Sequence, residues 1–583
     1  MTENLTITSE RVDDIPMLLA QLDRMQVARL LDEYFPTHGK WQGLSLGKLT
    51  SVWLTFILSE ANHRLSHVEP WAEQRLRTLE GCLGEEVRAL DFSDDRLAAV
   101  LDSLSDDGQW AEFERALNQQ TVRVYGLRPQ RVRIDSTTAT GYGEVTAEGL
   151  FQFAHSKDHR PDLPQLKINL SVLDPLGLPV TTTVVSGERA DDPLSVPEIQ
   201  QVQQSVGRQG VTYIGDCKMA ALPTRAYVVA SGNSYLCPRS STQVSAAELQ
   251  QLLEPVWEGR QKLKAVYRPA TGQGLQAEPE LIAQGFARQV RVSASVAGRP
   301  LTWTERQWVV RSVRLAQAQE KSLRTRLVKA LEELEELNVQ RQGKKRFTQQ
   351  AEARAAAEKI VARHRVSGLI ALSYTLQSTQ RAIRAYGEHP ARVEAQRTVH
   401  VRARGVDAAL AEVSRSLGWR VYATNHGARQ LSLEQAVLAY RAEYLVERGF
   451  GRLKGHPLSL QPMYLDTDER VTGLIRLLMI GLRVLTVLEF GVRRQLEQEG
   501  SKLAGIYPGN PTRATVRPTT ELMLRAFEGL TLTGVEEARW VSYHLTPLSP
   551  VQQRILGLLG FAPEIYLRLS QHSSKPVLNL SEP

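Results

Sequence analysis

"QLKINLSVLDPLGLPVTTTVVSG", residues 165–187, holds two β-rich runs on either side of the turn residues Asp174, Pro175, Leu176 and Gly177. Two such runs about a turn predict a β-hairpin. Working outward, "RVRIDST" (131–137) is a third β-rich run before the hairpin, and it carries Asp135. After the hairpin come a helix over 194–206 and a strand ending in an acid ("VTYIGD", 211–216). A helix over 219–231 and a further strand ("SYLCPRS", 234–240) follow. Three strands, helix, strand, helix, strand is the order of an α/β sheet.

The flanking sequence has a different texture. Residues 1–125 read as a helical N-terminal domain, with apolar positions at helical spacing in "IPMLLAQLDRMQVARLLDEYF" and "LSLGKLTSVWLTFILSEAN" and a Ser/Asp cap signal opening "SDDRLAAVLDSLS". Residues 126–240 form the first part of the α/β core. Residues 241–415 read as an insertion: a helix in "SAAELQQLLEPVWEG", strands near "RQVRVSASVAG" and "TWTERQWVVRS", then a long helix with Leu323, Leu327, Leu331 and Leu334 on one stripe. A break is expected at Gly343 in "RQGKKR", before an Ala-rich helix to about Arg365. Residues 416–495 resume the core with the strand "GWRVYATN" and the helix behind it. Residues 496–583 form a mostly helical C-terminal region, a candidate for dimerisation, broken at "YPGNPTRATVRPTT".

At 583 residues the chain exceeds what one core supports, so several domains are expected. The formal net charge is +7 and the pI about 9.2, a mild pointer to a polyanionic partner. Residues 305–365 hold 15 Lys/Arg against 8 Asp/Glu, enough to account for that excess. Cys82, Cys217 and Cys237 suit neither a disulfide framework nor a zinc site, and the opening "MTENLTITSERVDD" has no signal-peptide pattern; a cytoplasmic protein is expected. "TGLIRLLMIGLRVLTVLEFG" (472–491) is broken by Arg476, Arg483 and Glu489, which predicts a buried core helix and no membrane partner. "TGQGLQ" (271–276) is too short for a nucleotide loop and no GxxxxGK[ST] occurs, so no nucleotide cofactor is expected.

Three acids mark a place for chemistry. Asp135 closes the first strand, Asp216 closes the fourth, and Glu447 lies on the helix after the resumed strand. Acids at strand ends converge on one sheet edge, where open α/β folds bind ligands. Each alone also reads as a turn former, a helix cap or a solvated residue. Together, without His or Cys, they are hard oxygen ligands suited to Mg²⁺ or Mn²⁺, and a pair of such ions serves phosphodiester displacement. "YRAEYLVERGFGRLKG" (440–455) reads as one amphipathic helix. At about 100° per residue, Tyr440, Glu443, Glu447 and Lys454 share an arc of roughly 60°. Arg441, Arg448 and Arg452 form a separate stripe. The i,i+4 pairs Glu443/Glu447 and Arg448/Arg452 are like-charged, which costs stability unless cations or phosphates sit beside them.

The acids in this element order resemble the DDE triad of ribonuclease-H-like transposases. The helix resembles the signature of the insertion-sequence-four superfamily, in which Tyr, Arg, Glu and Lys recur at set intervals. Tyr440, Glu447 and Lys454 match it, while Glu443 stands where the signature has Arg. "HSKDHRPDLPQLKINLSVLD", "VTYIGDCKMAALPTRAYV" and "YLVERGFGRLKGHPLSLQPMYL" look like a long-chain branch of that superfamily. The resemblance implies a ribonuclease-H-like mixed sheet interrupted by a large insertion. It implies cut-and-paste transposition by strand hydrolysis, hairpin formation and opening, and strand transfer. Asp135, Asp216 and Glu447 would be catalytic and would hold two Mg²⁺, with Mn²⁺ able to substitute. The partners would be terminal-inverted-repeat DNA, target DNA and a second copy of the chain. Tyr440, Lys454, Arg441 and Arg448 would contact DNA, together with Lys157 and Arg160 of "HSKDHR". That stretch could instead bind metal, though no third ligand falls at a fitting spacing. Trp303 and Trp308 would either stack on a flipped base or serve as strand core. Two alternatives stand beside transposition: a catalytically silent DNA-binding derivative, and a structure-specific nuclease of the same fold.

Overall fold

The computed structural model describes residues 6–154, 156–190, 192–268, 279–339, 346–463, 465, 467–537 and 540–570. His155, the "TGQGLQ" stretch and the break at Gly343 lie outside these. The chain divides into two units. One comprises Met1–Cys237, Ser293–Trp303 and Ala439–Pro583, the other Pro238–Val292 and Thr304–Leu438.

The first unit opens with strand β1 (Thr6–Arg11) and continues through helices from Ile15 to Tyr125. A mixed sheet follows, of β2 (Arg131–Thr140), β3 (Gln165–Leu173), β4 (Leu178–Ser186), β5 (Thr212–Ile214) and β6 (Ser234–Pro238). Its order is β4-β3-β2-β5-β6. β2 and β3, and β3 and β4, pair antiparallel; β2 and β5, and β5 and β6, pair parallel. The expected hairpin is β3–β4. Every residue of β3 is buried, as a strand with both faces covered must be. Its turn needs Gly177 at φ +73°, and a Cβ there would also stand 3.1 Å from the Leu445 carbonyl oxygen.

The helix Asp468–Glu499 is the spine of this unit. Thr467 caps it by accepting from the Arg470 amide (3.3 Å), Asp468 and Glu469 occupy its first turn, and Gly500 ends it in the left-handed region. It is long and apolar enough to span a membrane by composition, but it is almost wholly buried in the protein, as expected of a core helix. Its interior charges explain why it tolerates burial. Arg476 donates to the carbonyls of Leu104 (2.9 Å) and Ser105 (2.7 Å), and Arg483 to Glu114 (2.5 Å) and the Val180 carbonyl (3.2 Å). Glu489 binds arginines described below.

Two sequence-based expectations are corrected here. The N-terminal region is not helical throughout, because β1 pairs antiparallel with Thr531–Glu537, which pairs with Trp540–Leu545. The C-terminal region therefore contains a sheet as well as helices. β1 is almost entirely exposed, so it carries no hydrophobic alternation to betray it; a backbone ladder to a strand over five hundred residues away holds it.

The second unit contains β7 (Lys264–Tyr267), β8 (Leu281–Val296), β9 (Arg299–Ser312), β10 (Ile370–Ile383), β11 (Arg392–Gly405) and β12 (Trp419–Thr424), the tip of the β8–β9 hairpin belonging to the first unit. β12 pairs antiparallel with β9, and β7 with β8. Helices Val313–Glu336 and Gln350–Arg363 bury Leu323, Leu327 and Leu334 with Ala353, Ala357 and Ile360, as the leucine stripe predicts. The β10–β11 ribbon was not expected. The strand "GWRVYATN" also groups with this unit, so the chain returns to the first unit at Ala439 rather than near 416.

Asp14, at the mouth of the first helix, is buried and accepts from Ser59 Oγ (2.7 Å); burial pushes its pKa up to about 7. The folded chain therefore holds this proton where the unfolded chain has lost it. Stability falls as pH rises from the ordinary carboxylate range to pH 7 and levels off above. Asp14→Asn removes that loss, so the Tm of the variant should gain on the wild type across this window in thermal melts. A pH-independent difference would refute the assignment.

Candidate active site

β2 and β5 lie side by side and parallel, with Arg133 opposite Ile214. Two residues past that pair come Asp135 and Asp216. Asp216 follows the end of β5, but Asp135 does not close its strand as the sequence predicts and sits mid-way along β2, which continues to Thr140. Each is fixed locally: Asp135 Oδ1 accepts from the Ser136 amide (2.7 Å), and Asp216 Oδ1 from the Lys218 amide (2.9 Å), a turn formed as the chain leaves β5. Both line one cleft with Arg133, Tyr440, Glu443 and Val446, and a second shallow pocket with Ser136, Asn169, Glu198 and Lys218.

The electrostatics join them. Burial raises both aspartate pKa values, and the charge of Asp135 further raises that of Asp216. Lys157 Nζ, 3.7 Å from Asp135 Oδ1, opposes this, as does Lys218. The same Nζ donates to the Ser136 hydroxyl (3.0 Å) and carbonyl. The charge of Glu447 also raises the pKa of Asp135, so all three sequence-chosen acids share one electrostatic field.

The helix that carries the third acid differs from its sequence reading. Residues 440–455 are not one helix: Leu433–Arg441 and Tyr444–Lys454 are separate. Between them, the amides of Ala442, Glu443, Leu445 and Val446 donate to carbonyls three residues back (3.1–3.3 Å). This is a tightened turn, which ends the 100° register. Arg133 fixes it, binding the Ala439 carbonyl while its guanidinium forks onto Asp174 (2.9 and 3.1 Å). Glu443 consequently faces the cleft, whereas Glu447 is exposed.

The arginine stripe is a second correction. Arg448 binds Glu489 through both terminal nitrogens, and Arg452 joins Glu489 (2.7 Å) and Glu521 (2.8 Å). Arg493 is 2.6 Å from the same Glu489. The like-charged pair Arg448/Arg452 is thus offset by carboxylates of this chain, and Arg448 is not presented to a nucleic acid. Arg441 is half-buried at the end of the first helix.

Lys454 Nζ holds Asp158 (2.7 and 2.9 Å), tying the second helix to the 156–163 loop beside the site. Arg160 is exposed and paired with Asp162 (2.7 Å). Trp303 and Trp308 are corrected: both are buried strand residues. Trp303 Nε1 donates to the Tyr235 hydroxyl (2.9 Å), and Trp308 is 1% exposed, so neither offers a ring to a flipped base. The sequence reading did not single out Glu198, Asn169 or Lys218 for the site. Glu198 accepts from Ser171, Thr181 and Thr183 hydroxyls, which no local motif announces.

Among the described residues no three His, Cys, Asp or Glu side chains stand close enough to hold a metal ion. The donors are nonetheless of the right kind. Two half-buried carboxylates, both raised by burial and Asp216 further raised by the charge of Asp135, with a third acid acting on Asp135, form an oxygen-only set with excess negative charge, which suits a hard dication.

A protein-family profile described as "Domain of unknown function (DUF4277)" matches residues 7–116, the N-terminal helical stretch. No curated protein matches the sequence. Among solved structures, a cryo-EM "piggyBac transposase synaptic complex with hairpin DNA" is similar at a TM-score of 0.34 and 8% identity, covering 90% of this chain and 81% of that one. A likeness at that level carries no functional argument.

Glu489 is the shared partner of Arg448, Arg452 and Arg493 and is itself buried. Glu489→Ala leaves three cations without their common anion, and breaking a buried pair costs about 3–5 kcal/mol. Urea unfolding should register a loss of that order; a change below about 1 kcal/mol would exclude this role.

Proposed function

We propose that this chain is a DNA transposase that breaks and joins phosphodiester bonds at Asp135, Asp216 and Glu447. The observation that carries the reading is the convergence of Asp135 and Asp216 from neighbouring parallel strands into one cleft, where the charge of Asp135 acts on Asp216. The sheet supports the ribonuclease-H-like assignment: three antiparallel strands continue into two parallel ones, and the acids belong to the central strand and its parallel neighbour.

In this reading the three acids hold Mg²⁺, which when bound activates water and neutralises the leaving oxygen. The chain's own part is positioning and charge. Lys157 and Lys218 limit the repulsion between the aspartates before DNA arrives. The Arg133 lock holds Tyr440 and Glu443 at the cleft wall. Lys454, held by Asp158, stands on the same helix as Glu447 and supplies a phosphate contact once that pair opens. The finer reading is an insertion-sequence enzyme that recognises terminal inverted repeats, acts as a homodimer in the cytoplasm, and passes through a hairpin. A second reading of the third acid rests on one observation: Glu443, not Glu447, lines the cleft.

Incubation with the DNA ends of its own element and Mg²⁺ tests the proposal, scoring nicks, hairpins and joined products. Asp135→Asn should abolish cleavage and leave end binding intact; retained cleavage refutes the assignment. Glu447→Gln should do the same. If Glu443→Gln is inactive and Glu447→Gln active, the third ligand is Glu443. Cleavage without any joining to target DNA would instead favour a structure-specific nuclease.

A further inference from the structure

The strands β10 and β11 pair over fourteen residues each, from Ile370 opposite Gly405 to Ile383 opposite Arg392. At about 3.3 Å per residue this ribbon is roughly 45 Å long. Only its base is anchored. Leu372, Tyr374, Val399, Val401 and Ala403 pack on the helices Val313–Glu336 and Gln350–Arg363, and Asn338 brackets Val401 by donating to its carbonyl (2.7 Å) and accepting from its amide (2.8 Å). Beyond the Leu376–Val399 pair, seven further pairs continue without burying any residue whose exposure is described, and Leu376 itself is 58% exposed.

A hairpin of this kind gains little by standing alone, because an isolated two-stranded sheet is marginal and its edges invite pairing. Its composition says what it is built to meet. Residues 370–405 contain six arginines (Arg381, Arg384, Arg392, Arg397, Arg402, Arg404) against two glutamates (Glu388, Glu394). The register sorts the rest. One face presents Ser373 beside Arg402, Thr375 beside His400, Gln377 beside Thr398 and Thr379 beside Gln396, with Arg404 at its base. The other carries Arg397 beside Ser378. Arg384, Arg397, Arg402 and Arg404 are exposed and form no ion pair among the described residues. The face of Ser373 and Arg402 carries no Trp, Tyr or Phe, the aromatic anchors on which the core of a protein interface is built. Its arginine, hydroxyl and amide groups are the chemistry of phosphate and base-edge contact, and the major groove of B-DNA admits a two-stranded ribbon.

We propose that the β10–β11 ribbon is a DNA-binding arm that enters the major groove of duplex DNA, with Arg397, Arg402 and Arg404 on the flanking phosphates. This rests on the transposase reading for its biological substrate but uses none of the catalytic acids. The test is the salt dependence of duplex binding, followed by fluorescence anisotropy for the full chain. Each phosphate contact contributes about 0.9 to the slope of log K against log salt. The variant carrying Arg397→Ser, Arg402→Ser and Arg404→Ser should lower that slope by about 2 to 3. Arg354→Ser, at an exposed arginine off the ribbon that is answered by Glu358, should leave it unchanged. A second variant, in which residues 377–398 are replaced by an Asn-Gly turn, removes Arg397 and the distal ribbon but keeps Arg402 and Arg404; it should lower the slope by about 1 and keep the wild-type circular dichroism. An A-form RNA duplex, whose major groove is too narrow, should compete poorly. An unchanged slope in both ribbon variants overturns the proposal while leaving the catalytic reading standing. Equal competition by duplex RNA overturns groove entry, and loss of self-association in place of DNA binding would make a second copy of the chain the occupant. Failure of the wild type to bind any duplex would overturn the transposase reading as well.

Discussion

Burying the helix Asp468–Glu499 nearly all round is the constraint on which the first unit depends. A buried charge must be paired and hydrogen-bonded or its burial is prohibitive. The helix carries Arg476, Arg483 and Glu489 inside, and each ties a different part of the unit to it. Arg476 holds the end of the Asp94–Leu104 helix, Arg483 joins the Asp107–Tyr125 helix through Glu114 and β4 through Val180, and Glu489 gathers Arg448, Arg452 and Arg493. The three charges that make the segment unlike a membrane span are the ones that fix its neighbours. The helix Tyr444–Lys454 beside the candidate site is therefore held from behind by the spine, through two arginines.

From the front the same helix is held by the sheet. Asp174, the first residue of the β3–β4 turn, orients Arg133, and Arg133 holds the carbonyl at the helix junction. Gly177 of that turn allows the Leu445 backbone to come close. The junction lies between a buried carboxylate cluster and a hairpin turn, so its bend is set by both. That bend decides which acid faces Asp135 and Asp216. Local charge then tunes the site: the aspartates resist ionisation together, and Lys157 and Lys218 supply part of the compensation that a cation would complete.

Much of the sheet was legible because its strands are buried and bounded by turn residues. The hairpin at 165–187, the acid ending β5 and the strand at Trp419–Thr424 all carry that signal. Asp216 could be chosen because it follows a strand end, a rule that needs only element order, whereas Asp135 lies mid-way along β2 and meets it through the parallel β2–β5 pairing. The failures share a cause. β1 and the distal β10–β11 ribbon are exposed on both faces, so hydrophobic periodicity has nothing to report. The kink at Ala442–Glu443 has no Gly or Pro; it is imposed by Arg133 from a strand three hundred residues earlier. The arginine stripe looked like a phosphate surface because Glu489 and Glu521 are distant in sequence.

Where the charge resides also changes between sequence and structure. Residues 305–365 carry the sequence excess, yet part of it is answered within the unit: Arg324 by Glu320, Arg354 by Glu358, and Arg363 and His364 by Glu333. Arg326 is spent on the carbonyls of His364 and Arg365. Part of the charge of this segment is thus answered within it. Its most ordered task is to hold the ribbon's base through Leu323, Leu327 and Leu334. On the ribbon, which has two glutamates, Arg384, Arg397, Arg402 and Arg404 are exposed and form no ion pair among the described residues. Net charge summed over a sequence window locates lysines and arginines, but only pairing decides which of them still project a field into solvent.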